Sequence, residues 1–348
     1  MSKTSLGNFF EDFALGQQIR HATPRTLTVG DASLYTALYG CRFAVQSSDF
    51  FAQSVGFERA PLDDLLIFHT VFGKTIPDIS LNAVANLGYA ACIFGVPVYC
   101  GDSLTARSEV IGLRENTNGK TGILYVRTTG ENQKGEKVLS YVRWVMVRKS
   151  GGARAPDPVI PDLPKAVGVE TLAPPDGFDA AGWDFELSGE SWRWGDYAPG
   201  EKIDHVDGMT IEEAEHATAT RLYQNTAKVH FNQHAESRGR FGRRLIYGGH
   251  VISLARALSF NGLANAFRIA AINGGRHVNP VFSGNTIHAW SEILERIEIP
   301  GNNALGALRV RTLATKDAPC AGHPDKDEYG KYPESVVLDL DYTVLLPR

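Results

Sequence analysis

The chain has 348 residues, of which 43% are apolar and 21% charged, with a formal net charge of −4. That length allows two domains with sizeable cores, and because no basic domain stands out, nucleic acid is not an expected partner. Cys41, Cys92, Cys100 and Cys320 are widely spaced and form no CxxC pair, which reads as reduced thiols in a cytoplasmic protein and not as a disulfide frame or a zinc site.

In chain order, the opening MSKTSLGNFFEDF lacks the continuous apolar core of a secretory signal. Residues 28–39 read as a helix, a polar loop follows, and 61–75 read as a longer apolar helix. The uncharged run from Ile79 to Gly101 is long enough to raise the question of a membrane helix. Asn82, Asn86, Gly88, Gly95 and Pro97 interrupt it, so it reads as a buried strand pair and not as a membrane span. Alternation and β-branched content place strands at 105–111, 122–129 and 137–149. Between 151 and 190 stand Pro156, Pro158, Pro161, Pro164, Pro174 and Pro175, the composition of an extended connector running over the surface. Beyond it the layout returns, with helices at 210–222 and 248–264 and strands at 285–297, 306–314 and 335–346. A polar insertion at 315–334 reads as an exposed hairpin loop.

The return is a repeat in the residues themselves. FEDFALGQQIRH (10–21) matches WGDYAPGEKIDH (194–205) at a spacing of 184, including Asp12 with Asp196, Gly16 with Gly200 and His21 with His205. PVYCGDSLTARSEV (97–110) matches PVFSGNTIHAWSEI (280–293) at 183, and Gly122, Leu124, Val126, Arg127 and Thr128 match Gly306, Leu308, Val310, Arg311 and Thr312. One register held over separated blocks means a duplicated domain. The expected organisation is a first copy at 1–150, a connector at 151–190 and a second copy at 191–348. One long helix followed by a run of antiparallel strands in each copy suggests an α+β arrangement, a curled sheet wrapped around a central helix.

Chemistry concentrates in residues 221–262. Asn225 and His230 stand five residues apart in a polar loop, followed by Arg238, Arg240, Arg243 and Arg244 and then Tyr247-Gly248-Gly249. From there Val251, Leu254, Ala255 and Leu258 recur as the stripe of a helix with one buried face. The first N–H groups of such a helix have no intrahelical partner and attract an anion or a developing oxyanion. His250, three residues in, reads as a packing or capping residue. No ligand cluster or dinucleotide fingerprint appears, so neither metal nor redox cofactor is expected.

The PV-x-x-G-[DN]-[ST]-[LI] block, the polar loop and the glycine-opened helix resemble the MaoC-like hydratase/dehydratase family, and the resemblance covers essentially the whole chain. It implies a tandem (double) hot-dog fold, an acyl-CoA partner, homodimers, and reversible hydration of an enoyl-CoA thioester, with chemistry in one copy and a remodelled second one. The family pattern Asp-x4-His, laid on the second copy, puts its His on His230 and its Asp position on Asn225. In the first copy the same positions are Gln46 and Cys41, so that copy reads as non-catalytic. His230 is then the expected acid–base group, Asn225 the group that positions water or hydroxyl, and the N–H groups of Gly248 and Gly249 the oxyanion hole. Arg238, Arg243 and Arg244 are candidates to bind CoA phosphates or a free acyl carboxylate, the alternative being a solvated charged loop. Tyr247 stands where family members often have His and is counted with the substrate-binding candidates. An (R)-specific enoyl-CoA hydratase for other short acyl-CoAs, a thioesterase and a non-catalytic acyl-CoA-binding protein are the competing readings.

Overall fold

A computed structural model describes residues 3–151 and 157–348, so Pro156 of the connector and the first two residues lie outside the described residues. Ten strands form one sheet in the order β1-β3-β4-β5-β2-β7-β10-β9-β8-β6. β1 (Gln18–Thr26), β2 (Ala83–Phe94), β3 (Ser103–Glu115), β4 (Thr121–Glu131) and β5 (Lys137–Arg148) come from the first half of the chain. β6 (Lys202–Thr210), β7 (Arg268–His277), β8 (Thr286–Glu298), β9 (Leu305–Lys316) and β10 (Val336–Pro347) come from the second. The order 1-3-4-5-2 is repeated as 6-8-9-10-7 read from the opposite edge, so the two halves are laid side by side in mirrored strand order. They join through a single antiparallel seam, Tyr89 opposite Gly275 and Cys92 opposite Ile272.

Nine helical segments accompany the sheet among the described residues: α1 (Val29–Tyr39), α2 (Ala44–Ser47), α3 (Asp49–Ser54), α4 (Asp64–Lys74), α5 (Glu213–Leu222), α6 (Lys228–Phe231), α7 (Gln233–Glu236), α8 (Gly248–Leu258) and α9 (Phe260–Leu263). The two long helices α4 and α8 are both 11 residues and start 184 residues apart, the repeat spacing. Thr28 opens α1 with a capping box through Asp31, and Gly40 at φ 61° closes it. α4 packs on β1, β3 and β5, and α8 on β6, β8, β9 and β10.

Duplication is also visible in side-chain chemistry. His21 Nε2 lies 2.8 Å from Ser108 Oγ, which lies 2.8 Å from Thr128 Oγ1. His205, Ser291 and Thr312 build the same buried chain at 2.8 and 2.7 Å. Gly122 and Gly306 are the matched positions against which Phe10 and Trp194 lie face-on; an added Cβ would meet each ring at 2.3 Å.

Four sequence expectations change. The run from Ile79 to Gly101 holds one strand, β2, not a pair: a π-helical turn at Ile76–Ser80 precedes it and a loop follows. The strands at 18–26, 202–210 and 268–277 had no periodic signal strong enough to be assigned. α8 is buried nearly all round instead of on one face, because first-copy residues Tyr35, Tyr39 and His69 cover its far side. The helical segment at 248–264 breaks at Asn261 and at Gly262, φ 102°. The connector also does more than cross the surface. Leu172 and Trp183 are buried in an apolar cluster with Phe51, Phe267 and Leu345. In the 315–334 insertion, Cys320 is buried against Trp290 and Asp325 pairs with Arg311 at 2.5 Å. The four cysteines are free, and no helix among the described residues is long and apolar enough to cross a membrane.

The two halves touch most closely at Gly73 on α4. A Cβ there would fall 1.7 Å from the Tyr223 carbonyl oxygen, next to Gln224 at φ 55° and the buried Asn225. Gly73→Ala is expected to lower stability by about 2–3 kcal/mol through this backbone clash. Gly195→Ala, with nothing within 4 Å of the new Cβ, should shift the midpoint far less. Chemical denaturation of the two variants checks the contrast.

Candidate active site

α8 begins at Gly248 with Tyr247 as its N-cap residue, and no side chain caps it. The Tyr247 N–H is taken by His216 Nε2 at 2.9 Å, and the His250 N–H turns back to the Tyr247 carbonyl at 2.9 Å. Among the described residues no acceptor takes the N–H of Gly248 or Gly249. Side chains are excluded at both positions: an added Cβ at Gly248 would lie 2.3 Å from His277 Cε1, and at Gly249 2.5 Å from His69 Cε1. The positive end of the helix is therefore bare backbone held between two imidazoles.

His230 sits on the one-turn helix α6. Its Nδ1 is 3.0 Å from the Leu245 carbonyl oxygen. A carbonyl only accepts, so the proton resides on Nδ1 and Nε2 carries the lone pair. Its ring lies 5.5 Å from that of Tyr247. Burial lowers its pKa to about 4, opposed by the Leu245 bond, so the ring is neutral at physiological pH. Asn225 is 1% exposed; its Oδ1 accepts from the Ala227 N–H at 3.3 Å, which fixes the amide orientation, and its Nδ2 has no partner. A buried donor without an acceptor is costly and marks a place where a ligand atom can bond.

Five of the ten histidines converge here. His69 of the first half bonds the Tyr247 hydroxyl (3.2 Å) through Nδ1 and Ser253 Oγ (2.9 Å) through Nε2. His250 Nδ1 is 2.8 Å from the Tyr39 hydroxyl, which accepts from Tyr223. His277 Nε2 is 3.3 Å from the Tyr89 hydroxyl across the seam. Burial is the leading cause that lowers the pKa of each: His69 to about 3, His216 to about 2, His250 to about 3 and His277 to about 4. Neighbouring rings add to the lowering at His69, His216 and His277. Such a cluster is stable only while uncharged.

The residues singled out in the sequence do not all gather at this point. His230 lies against Tyr247, whose backbone leads into Gly248 and Gly249, while Asn225 is buried in the turn after α5. Arg238 is exposed, Arg243 stacks on Phe282 at 3.9 Å, and Arg244 pairs with Glu213. Arg243 and Arg244 border an open recess of about 380 Å³ that also touches His216 and Ile246, outside the helix start. Sequence reasoning missed His69, Tyr89, His216 and His277, which carry no local motif and come from α4, β2, α5 and β7. In the first copy Asp63 and Asp64 replace Tyr247 and Gly248; Asp63 caps its own helix start and Asp64 turns to β7. Asp63 Oδ1 accepts from the Leu65 N–H and Asp64 Oδ2 from the Ile269 N–H, at 2.8 and 2.9 Å. Gln46, at the histidine's position, donates to the Phe267 carbonyl at 2.8 Å.

Linkage gives the pH response. The unfolded histidines titrate near 6.5 and the folded ones at about 2 to 4, so the unfolded state takes up protons first. Stability should be full above about pH 6.5 and fall steadily as pH drops towards 4. Thermal melting followed between pH 8 and 4 checks this; a melting temperature independent of pH across that window would contradict the neutral cluster.

A family model described as mesaconyl-CoA hydratase matches residues 2–321. The chain is 64% identical over 348 residues to beta-methylmalyl-CoA dehydratase of Chloroflexus aurantiacus, covering 100% of this chain and 99% of the relative. It is 57% identical to mesaconyl-CoA hydratase of Cereibacter sphaeroides, covering 99% of this chain and 100% of the relative. A crystal structure described as a MaoC domain protein dehydratase from Chloroflexus aurantiacus superposes with TM-score 0.98 at 64% identity, covering 100% and 99% of the two chains. A conserved Mycobacterium tuberculosis protein with a double hotdog fold superposes with TM-score 0.77 at 24% identity, covering 99% of each chain. The fold is thus a double hot-dog, and the chain belongs to the mesaconyl-CoA hydratase family of MaoC-like hydratases and dehydratases.

Proposed function

We propose that the chain is a hydro-lyase that reversibly adds water to mesaconyl-C1-CoA, giving β-methylmalyl-CoA, at the start of α8. The reading is supported by three groups without partners, which it brings together on the substrate: the His230 Nε2 lone pair, the Asn225 Nδ2 donor and the free N–H groups of Gly248 and Gly249. The thioester oxygen accepts from the two N–H groups, which stabilises the enolate as charge moves onto it. The Asn225 amide donates to the water oxygen and holds it over the β-carbon. His230 Nε2 takes a proton from that water as its oxygen bonds to the β-carbon. The imidazolium then returns the proton to the α-carbon. One ring serving both steps delivers H and OH to the same face.

This reading has each half as an antiparallel sheet wrapped around its own long helix, with 1–150 as the supporting copy and 191–348 as the working one. Tyr247 and the arginines of 238–244 belong to the substrate channel, the arginines at its CoA end. The enzyme acts as a cytoplasmic homodimer, which sedimentation of the purified chain tests.

Wild-type protein is expected to hydrate mesaconyl-CoA with little release of free thiol. Thiol release without hydration would mean a thioesterase, and faster turnover of crotonyl-CoA a hydratase for unbranched chains. His230→Ala should lower kcat by roughly 10²–10⁴-fold while acyl-CoA binding persists. Asn225→Asp restores the family carboxylate and should change both rate and pH profile; an unchanged pair of values would put position 225 outside the chemistry.

A further inference from the structure

Three arginines are buried in the described residues: Arg143, Arg256 and Arg268. The latter two feel the carboxylates of Asp63 and Asp64 at the start of α4. Arg143, on β5, is 0% exposed and has no carboxylate partner among the described residues. Its Nη2 donates to Thr75 Oγ1 (2.8 Å) and Ser80 Oγ (3.0 Å), and its guanidinium lies 4.3 Å from the centre of the Phe72 ring. Its Nε–H reaches no acceptor, and Tyr141, two residues earlier on the same face of β5 and also 0% exposed, turns its hydroxyl toward Thr75 and Thr128. A fully buried cation with an unused donor needs an anion that the protein does not supply.

The fold does not require this arginine. In the duplicated register Val126 faces Arg143 and its match Val310 faces Tyr342. The second copy folds with Tyr342 there, bonded through its hydroxyl to Thr312 at 3.0 Å. The location is also specific. Phe72, which carries the guanidinium on one side, packs against Tyr247 at 5.7 Å and against Tyr89 at 6.3 Å. Tyr247 caps the catalytic helix, and Tyr89 bonds the His277 that covers Gly248. Arg143 thus lies one side chain behind the helix start.

We propose that Arg143, with Tyr141 beside it, is the specificity-determining anion subsite, taking the free carboxylate of a dicarboxylic acyl-CoA. The inference rests on the hydration reaction proposed above, in which that carboxylate sits on the carbon that receives the hydroxyl. Its position there requires a cation deep in the acyl pocket, not at the rim. A monocarboxylic acyl group leaves the guanidinium unpaired, so the site selects by charge as well as by shape.

The test compares hydration of mesaconyl-CoA and crotonyl-CoA by wild type and Arg143→Met. The variant should lose at least about 100-fold in kcat/KM on mesaconyl-CoA and change by less than about 3-fold on crotonyl-CoA. Equal losses on both substrates in a protein that melts like wild type would assign Arg143 a structural role and overturn the proposal, as would an unchanged preference. Should Arg143→Met fail to fold, Arg143→Lys keeps the buried charge with fewer donors. It should raise KM for mesaconyl-CoA selectively, and an unaltered ratio of the two KM values overturns the assignment. If wild type hydrates no mesaconyl-CoA, the reaction itself is wrong; if wild type does and only the selectivity fails to move, the reaction stands and the subsite falls.

Discussion

The architecture depends on how closely α4 is allowed to approach the second half of the chain. Gly73 removes the one side chain that would strike the Tyr223 carbonyl, and Gly249 removes the one that would strike His69. With both gone, α4 and α8 pass one another in opposite senses. Asp63 feels Arg256, His69 spans Gly249 and Ser253, and Phe72 reaches Tyr247. The turn that carries Asn225 and the cap that carries Tyr247 are then held from behind by a helix of the first half. Held donors cost no reorganisation when charge develops, which is what an oxyanion site needs.

The same packing explains why the cluster is so rich in histidine. Each imidazole supplies one donor and one acceptor while neutral, so His216, His250 and His277 can satisfy backbone N–H and tyrosine hydroxyl groups without importing a charge. His230 differs in its partner. Its Nδ1 bonds the Leu245 carbonyl, which can only accept, and that bond fixes which nitrogen remains basic.

The sequence carried the duplication, because it is written in short runs of neighbouring residues. The helix at Gly248, the spacing of Asn225 and His230, and the different residues at Cys41 and Gln46 could be read from one line of text. The seam could not: β7 and β2 are each buried over only part of their length, both contain glycines, and their pairing comes from the tertiary fold. For the same reason His69, Tyr89 and His277 carried no signal, since each acquires a role only when two distant strands and an opposed helix meet. The arginines at 238–244 drew attention by composition, and Arg238, Arg240 and Arg243 are exposed, whereas Arg143 sat unnoticed in an ordinary strand pattern.

Because mesaconyl-CoA gains a stereocentre at each end of its double bond on hydration, the relative configuration of the product reports directly on whether one histidine handles both protons. Nuclear magnetic resonance of the product formed by wild-type protein from mesaconyl-CoA is expected to show H and OH added to the same face. Addition to opposite faces would require a second proton donor across the substrate and would contradict a mechanism run by His230 alone.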